Sequence, residues 1–196
     1  MARPIAKDHD EKRDAILQTA AQVFAERGYD RASLAEVAKA CGISKSLIYH
    51  YYASKEALLH AILSTHLNGL LAVLHPLAAT GARPEAELRA LVHALLQAYR
   101  GADAVHRLQL EAMGALTESQ QRELAALQRQ IVAIFAEAIR LAAPSRFEQH
   151  NRDLTPVTMA LFGMLNWFFL WHQPQKGISR KAYADLATDI LLRGVA

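Results

Sequence analysis

Apolar residues recur at helical spacing along nearly the whole chain, and the breaks between them fall on Gly, Pro, Ser and Thr. Ile16, Ala20, Val23 and Phe24 line one face of a helix from about Asp10 to Arg27, and Gly28 follows as a stop signal. Leu34, Val37 and Ala38 mark a short helix capped by Ser33. Gly42 offers the backbone freedom of a sharp turn, and Ile43 plugs the angle beyond it. Ser44 caps a second short helix, in which Lys45, Ser46, Tyr49 and His50 take polar faces and Leu47 and Ile48 supply packing. Ser54 opens a long helix ending near His75-Pro76, with Leu58, Ile62, Leu67, Leu70, Leu71 and Leu74 on a wide apolar face.

The second part of the chain continues as helices. TGARPE (residues 80–85) is a loop, followed by a helix over about Glu85 to Arg100 and a shorter segment from Val105 to Leu116. Thr117 with Gln120 three residues later fits a capping box for a helix to about Ala143. Pro144 stops it, and the stretch to residue 156 reads as a polar crossing loop. Thr155-Pro156 reads as N-cap and first residue of a helix to Trp171 that is apolar nearly all round. Gln173-Pro174 and Gly177 break it, and Ser179 caps a last helix to about Leu192. A helix apolar on every face has to be covered on every face. Few elements remain to wrap it, so the economical cover is a second copy, the last two helices of each subunit forming a four-helix seam. A central buried helix of a monomer is the alternative.

The pattern predicts an all-α fold: a three-helix, helix-turn-helix head over residues 1–53 and a larger helical body over residues 54–196. Charge adds little by itself. The net charge is +3, and residues 1–75 hold nine basic and eight acidic side chains. DNA binding would therefore depend on placement: a basic arm at the N-terminus with Arg3 and Lys7, and Lys45 and Lys55 at helix starts that already favour phosphate. Cys41 is the only cysteine, which excludes an internal disulfide and a CxxC site and suits a small apolar plug beside the turn. The first residues carry no apolar stretch of the secretory kind, and no run of about eighteen apolar residues stands out, so the expectation is a cytoplasmic protein without a membrane partner.

A helix-turn-helix needs a short support helix, a Gly-containing turn and a second helix able to enter the major groove. An ordinary helical hairpin would share that spacing. The full string is more specific. Ala15 to Asp30, then Ala32-Ser33-Leu34, Val37-Ala38, Cys41-Gly42-Ile43-Ser44-Lys45, Ile48-Tyr49-His50-Tyr51-Tyr52 and Ser54-Lys55-Glu56-Ala57-Leu58 resemble the DNA-binding domain of the TetR family. Ser46-Leu47 stands where Gly-Thr is frequent in that family, and Tyr52 where Phe is usual. The resemblance implies that Ser33, Lys45, Tyr49, His50 and Lys55 face DNA, and that the chain dimerises through its last two helices on a palindromic operator.

Catalytic chemistry is not visible. None of the nine histidines belongs to an HExxH pair, no Glu precedes a His by three residues, and no phosphate loop or GxSxG elbow occurs. No enzyme activity, metal or cofactor is expected. Phe162-Gly163-Met164-Leu165-Asn166-Trp167 with Trp171 and Gly177-Ile178-Ser179 resembles the acyl-CoA-sensing, FadR-like and PaaR-like members of the TetR family. That implies a ligand-released repressor whose effector is an acyl-CoA or aryl-acyl-CoA thioester such as phenylacetyl-CoA. Trp167 and Trp171 are the candidate ligand contacts, with Arg100, Arg107 and Arg140 for the phosphates. A lipophilic drug-like effector of an efflux operon is an open alternative, as is a helical enzyme or carrier that reuses the hairpin for packing.

Overall fold

The computed structural model describes the main chain of residues 3–173 and 175–195, and their side chains from Lys12 onward, Gln149 excepted. The side chains of Arg3 and Lys7 in the expected basic arm, and the expected break at Pro174, lie outside these. Among the described residues the fold is all-α, with no strand beyond one isolated bridge between Gln173 and Lys176.

Two compact units emerge. Unit 1 combines residues up to Leu67 with Ala102–Leu124. It contains α1 (Arg3–Arg27), α2 (Leu34–Ala40), α3 (Lys45–Tyr51), most of α4 (Lys55–Leu74), α6 (Asp103–Glu111) and the start of α7 (Glu118–Ala142). Its core is Ile16, Leu17, Ala20, Phe24, Leu34, Val37, Ile48, Tyr52, Leu58 and Leu59, all buried. Phe24 is fully enclosed, and its ring meets that of Tyr29 edge-on at 5.4 Å. The helix-turn-helix thus shares a unit with α6, which packs against α1.

Unit 2 comprises Asn68–Gly101 and Ala125–Ala196. It holds α5 (Pro84–Ala98), most of α7, α8 (Pro144–Gln149), α9 (Leu154–Asn166), α10 (Phe168–Trp171) and α11 (Arg180–Val195). Leu88, Leu91, Val92, Leu95 and Leu96 bury the inner face of α5, which packs on α11. Arg89 bridges Asp185 and Asp189 there, and His93 Nε2 lies 2.8 Å from Asp185. Glu87 is buried, with no ion pair among the described residues. Its carboxylate accepts from the Ala79 and Thr80 amides at 2.9 Å and from the Thr80 hydroxyl at 3.1 Å, which ties down a turn where Ala79 has φ of 56°.

Most helix starts agree with the caps read from the sequence. Ser44 and Ser54 accept from the amides of Leu47 and Ala57, Thr117 and Gln120 form their reciprocal box, and Ser179 accepts from Ala182. Four details differ. Helix α1 starts at Arg3, not near Asp10. The expected crossing loop contains α8, whose Phe147 is buried and so repays the ordering of a polar segment. Helix α9 begins at Leu154, so Thr155 is inside its first turn and is not its N-cap; a proline in the first turn loses no bond, since those amides have no partner in the helix. The apolar helix also breaks at Trp167, where the Leu170 amide donates to the Trp167 carbonyl at 3.1 Å in a tighter turn.

By length and composition two stretches resemble membrane spans, Lys55–Leu77 and Asn151–Trp171. Half of the first apolar window is buried, so it is a core helix; only 28% of the second is covered.

Candidate nucleic-acid interface

Local hydrogen bonds build the helix-turn-helix. Ser33 and Glu36 form a complete capping box: Ser33 N donates to Glu36 Oε2 at 2.9 Å, and Glu36 N donates to Ser33 Oγ at 3.2 Å. The Ser33 hydroxyl donates to the same carboxylate and, with the amide, holds the Glu36 pKa below its usual value. Gly42 adopts φ of 66° in the turn, a conformation that costs a side-chain-bearing residue strain. The Ile43 amide donates to Ala38 O at 3.0 Å across it. Cys41 is the half-buried C-cap of α2, with its thiol pKa raised by burial.

Helix α3 buries only Ile48. Lys45, Ser46, Leu47, Tyr49 and His50 are exposed, Tyr49 by 52% and Leu47 by 38%. Leu47 therefore does not supply the packing expected of it; it lies about 100° round the helix from Ile48, on the open side. Its exposure next to Lys45, Tyr49 and His50 makes it a candidate contact that the apolar pattern had assigned to the core. Tyr52 is buried as expected, and burial raises its phenol pKa.

Of the five residues expected to face DNA, Ser33, Lys45, Tyr49 and His50 are exposed on α2 and α3 or at their starts. Lys55 differs. It is half-buried, and its ammonium donates to three main-chain carbonyls of the turn after α1 instead of standing in solvent.

The candidate ligand residues are divided between the two units. Arg107 belongs to unit 1 and the other four to unit 2. Arg140 is paired through two hydrogen bonds with Glu137, one turn away on α7, and Arg100 is exposed. Trp167 and Trp171 are more than half exposed, on an outer face. A cleft of about 350 Å³ in unit 2 is lined instead by His93, Ala94, Leu96 and Gln97 of α5 and by Arg180 and Lys181 at the start of α11. Sequence spacing could not have found it, because α5 and α11 lie about a hundred residues apart.

The outer face is the other exposed feature. Met159, Trp167, Leu170 and Trp171 on α9 and α10, with Leu186 and Ile190 on α11, are each 45–55% exposed. Leu161, Phe162, Leu165 and Phe168 fill the opposite side. Trp171 stands edge-on to Phe168 at 5.0 Å and to Tyr183 at 5.1 Å, which fixes its ring although one side is open.

Known proteins share this architecture. Residues 16–62 match the model of bacterial regulatory proteins of the tetR family, and residues 81–195 match the tetracyclin repressor-like C-terminal domain. A TetR-family transcriptional regulator from Bordetella parapertussis superposes with a TM-score of 0.84 at 32% identity, over 92% of this chain and 93% of that one. AibR in complex with isovaleryl coenzyme A and operator DNA superposes with a TM-score of 0.77 at 26% identity, over 92% and 98%. The transcriptional activator FasR of Mycolicibacterium smegmatis is 35% identical over 85 residues, which are 43% of this chain and only 39% of FasR. A capped two-helix motif with an open second helix, followed by a C-terminal body that matches over more than half the chain, leads to one conclusion: this protein belongs to the TetR family of DNA-binding transcriptional regulators.

Proposed function

We propose that the protein is a homodimeric repressor that blocks a palindromic operator and is released by a small hydrophobic effector, an acyl-CoA or aryl-acyl-CoA thioester. The observation that carries the DNA half is the exposure of α3: a helix that buries one residue in seven and leaves a lysine, a tyrosine, a histidine and a leucine outward. Lys45 at its first position, where unpaired amides add positive potential, would meet phosphate or guanine acceptors. Tyr49 and His50 would reach backbone or base edges, with Ser33 on the flanking phosphate. Leu47 would lie against a thymine methyl. Operator DNA as the partner implies a cytoplasmic location.

Support for dimerisation comes from the apolar face of α9, α10 and α11. Single exposed apolar residues are ordinary, but six large ones on neighbouring helices are a patch of the kind that a partner covers. A second copy meeting it through a two-fold axis would form a four-helix seam.

Support for a thioester effector comes from AibR, which was solved with isovaleryl coenzyme A and operator DNA. The cleft between α5 and α11 is lined by the apolar Ala94 and Leu96 together with Arg180 and Lys181, whose charges suit the anionic groups of a nucleotide. A ligand releases DNA only by binding the DNA-free shape better, and a hundredfold preference corresponds to about 2.7 kcal/mol.

The test selects duplexes from a random library, then titrates the selected complex with isovaleryl-CoA and phenylacetyl-CoA beside free CoA and the free acids. A dyad-symmetric site released by thioester alone is expected. No enriched dyad would defeat the repressor reading; release by a phenolic or drug-like compound and not by thioesters would defeat the effector assignment.

A further inference from the structure

Lys55 is the first residue of α4, an unfavourable end for a cation because unpaired amide groups there carry positive potential. Its Nζ donates to the carbonyl oxygens of Tyr29 at 2.8 Å, Asp30 at 3.1 Å and Ala32 at 3.2 Å. It also lies 4.4 Å from the centre of the Tyr29 ring. An ammonium has three N–H groups, so these three acceptors use all of them. The acceptors lie in the turn beyond α1, where main-chain carbonyls have no helical partner and need donors from elsewhere.

The clamped turn is anchored on both sides. Tyr29 is buried against Phe24, and the Ala32 amide donates to the Gly28 carbonyl at 3.1 Å, with Gly28 at φ of 81°. The residue after Ala32 is Ser33, the N-cap of α2, so any movement of the turn carries α2, and α3 after it.

We propose that Lys55 is a positioning residue and not a phosphate contact: it locks the 29–32 turn to the start of α4 and so sets where the reading helix α3 stands. The proposal rests on the DNA-binding reading for its consequence, though not for the clamp itself. Lys45 supplies the contrast, an exposed lysine at the same first-helical position after a capping serine.

The test uses full-length Lys55→Met and Lys55→Arg proteins. Affinity for the selected operator is measured from about 50 to 200 mM salt, where counterion release dominates the slope. Melting curves correct each value to the folded fraction. Expected for Lys55→Met is a loss of about tenfold in affinity with the salt slope unchanged. Lys55→Arg is expected not to rescue, because a planar guanidinium fork cannot direct donors to three acceptors set around one point. In both variants hydrogen exchange at the amides of residues 29–34 should accelerate.

A slope that falls by about 0.9 per subunit in Lys55→Met, with affinity restored by Lys55→Arg, makes Lys55 a phosphate contact and overturns the proposal. Unchanged amide exchange in the turn overturns it as well. Should Lys55→Met fail to fold, Lys55→Arg alone decides, since full affinity and native exchange in that variant are incompatible with a three-carbonyl clamp. The exchange measurement needs no DNA. Failure of the wild-type protein to bind any duplex would therefore sink the repressor reading and leave the clamp to be judged separately.

Discussion

The outward face of α3 and the outward face of α9–α11 are both open, yet they are open in opposite chemical senses. On α3 the exposed residues are Lys45, Ser46, Leu47, Tyr49 and His50, with serine caps before α2 and α3 and only Ile48 turned in. On the body the exposed residues are Met159, Trp167, Leu170, Trp171, Leu186 and Ile190. Meeting DNA as proposed, the first face would exchange water and counterions for a polyanion, so its affinity would be electrostatic and sensitive to salt. The second gains by removing apolar area from water, which is non-directional and little affected by salt. One molecule thus displays two unfilled surfaces whose partners follow from their chemistry.

The largest effect should come from the apolar face. Trp167→Glu combined with Ile190→Glu would place charges in the proposed seam. Sedimentation should report monomers, and operator affinity should fall by about a hundredfold or more, because two linked heads bind as one unit. A double variant that remained dimeric would mean that the seam lies elsewhere.

Acidification separates the two units next. Burial lowers the pKa of His66, on α4 in unit 1, to about 4, where its ring meets that of His106 edge-on at 5.4 Å. Its folded pKa lies below the unfolded value near 6.5, so unit 1 keeps the full contribution above pH 6.5 and loses it as pH falls towards 4. The loss should be on the order of 1–2 kcal/mol by pH 5. In unit 2 the shift is of the other kind: hydrogen bonds from His93 and then Arg89 lower the pKa of Asp185 below 3.8, and that contribution holds until pH falls below that value. Amide exchange between pH 7 and 5 should accelerate in unit 1 before unit 2, and His66→Leu should flatten the difference. Simultaneous acceleration in both units would count against it.

Smaller effects sharpen the α3 face. Lys45→Ala should weaken operator binding by about tenfold and reduce the salt slope by about 0.9 per subunit, the response denied to Lys55. An unchanged slope would remove Lys45 from the phosphate contacts. Leu47→Ala should relax a thymine preference at one position of each half-site by about 1 kcal/mol, read by repeating the DNA selection. An identical selected site would return Leu47 to a solvent-exposed bystander.

Much of this was legible in the sequence. The caps Ser33, Ser44, Thr117 and Ser179, the turn glycine Gly42 and the uncovered apolar helix near the C-terminus depend on neighbours within a few residues, and periodicity reports such neighbours directly. The motif also carried the family. Less legible were features made by distant residues: the Glu87 carboxylate on the Ala79–Thr80 turn, the α5–α11 cleft, and α8, held by the burial of one phenylalanine in a polar segment.

Ser44-Lys45 and Ser54-Lys55 show where the boundary runs. In both pairs the sequence by itself determined a capped helix start, because the serine hydroxyl and the amide it accepts from are three residues apart. It could not say where either ammonium would go. Lys45 is exposed, whereas Lys55 is drawn to three carbonyls contributed 23 to 26 residues earlier in the chain. A long flexible side chain follows the strongest acceptors within reach, and which acceptors those are is decided only when distant segments pack together.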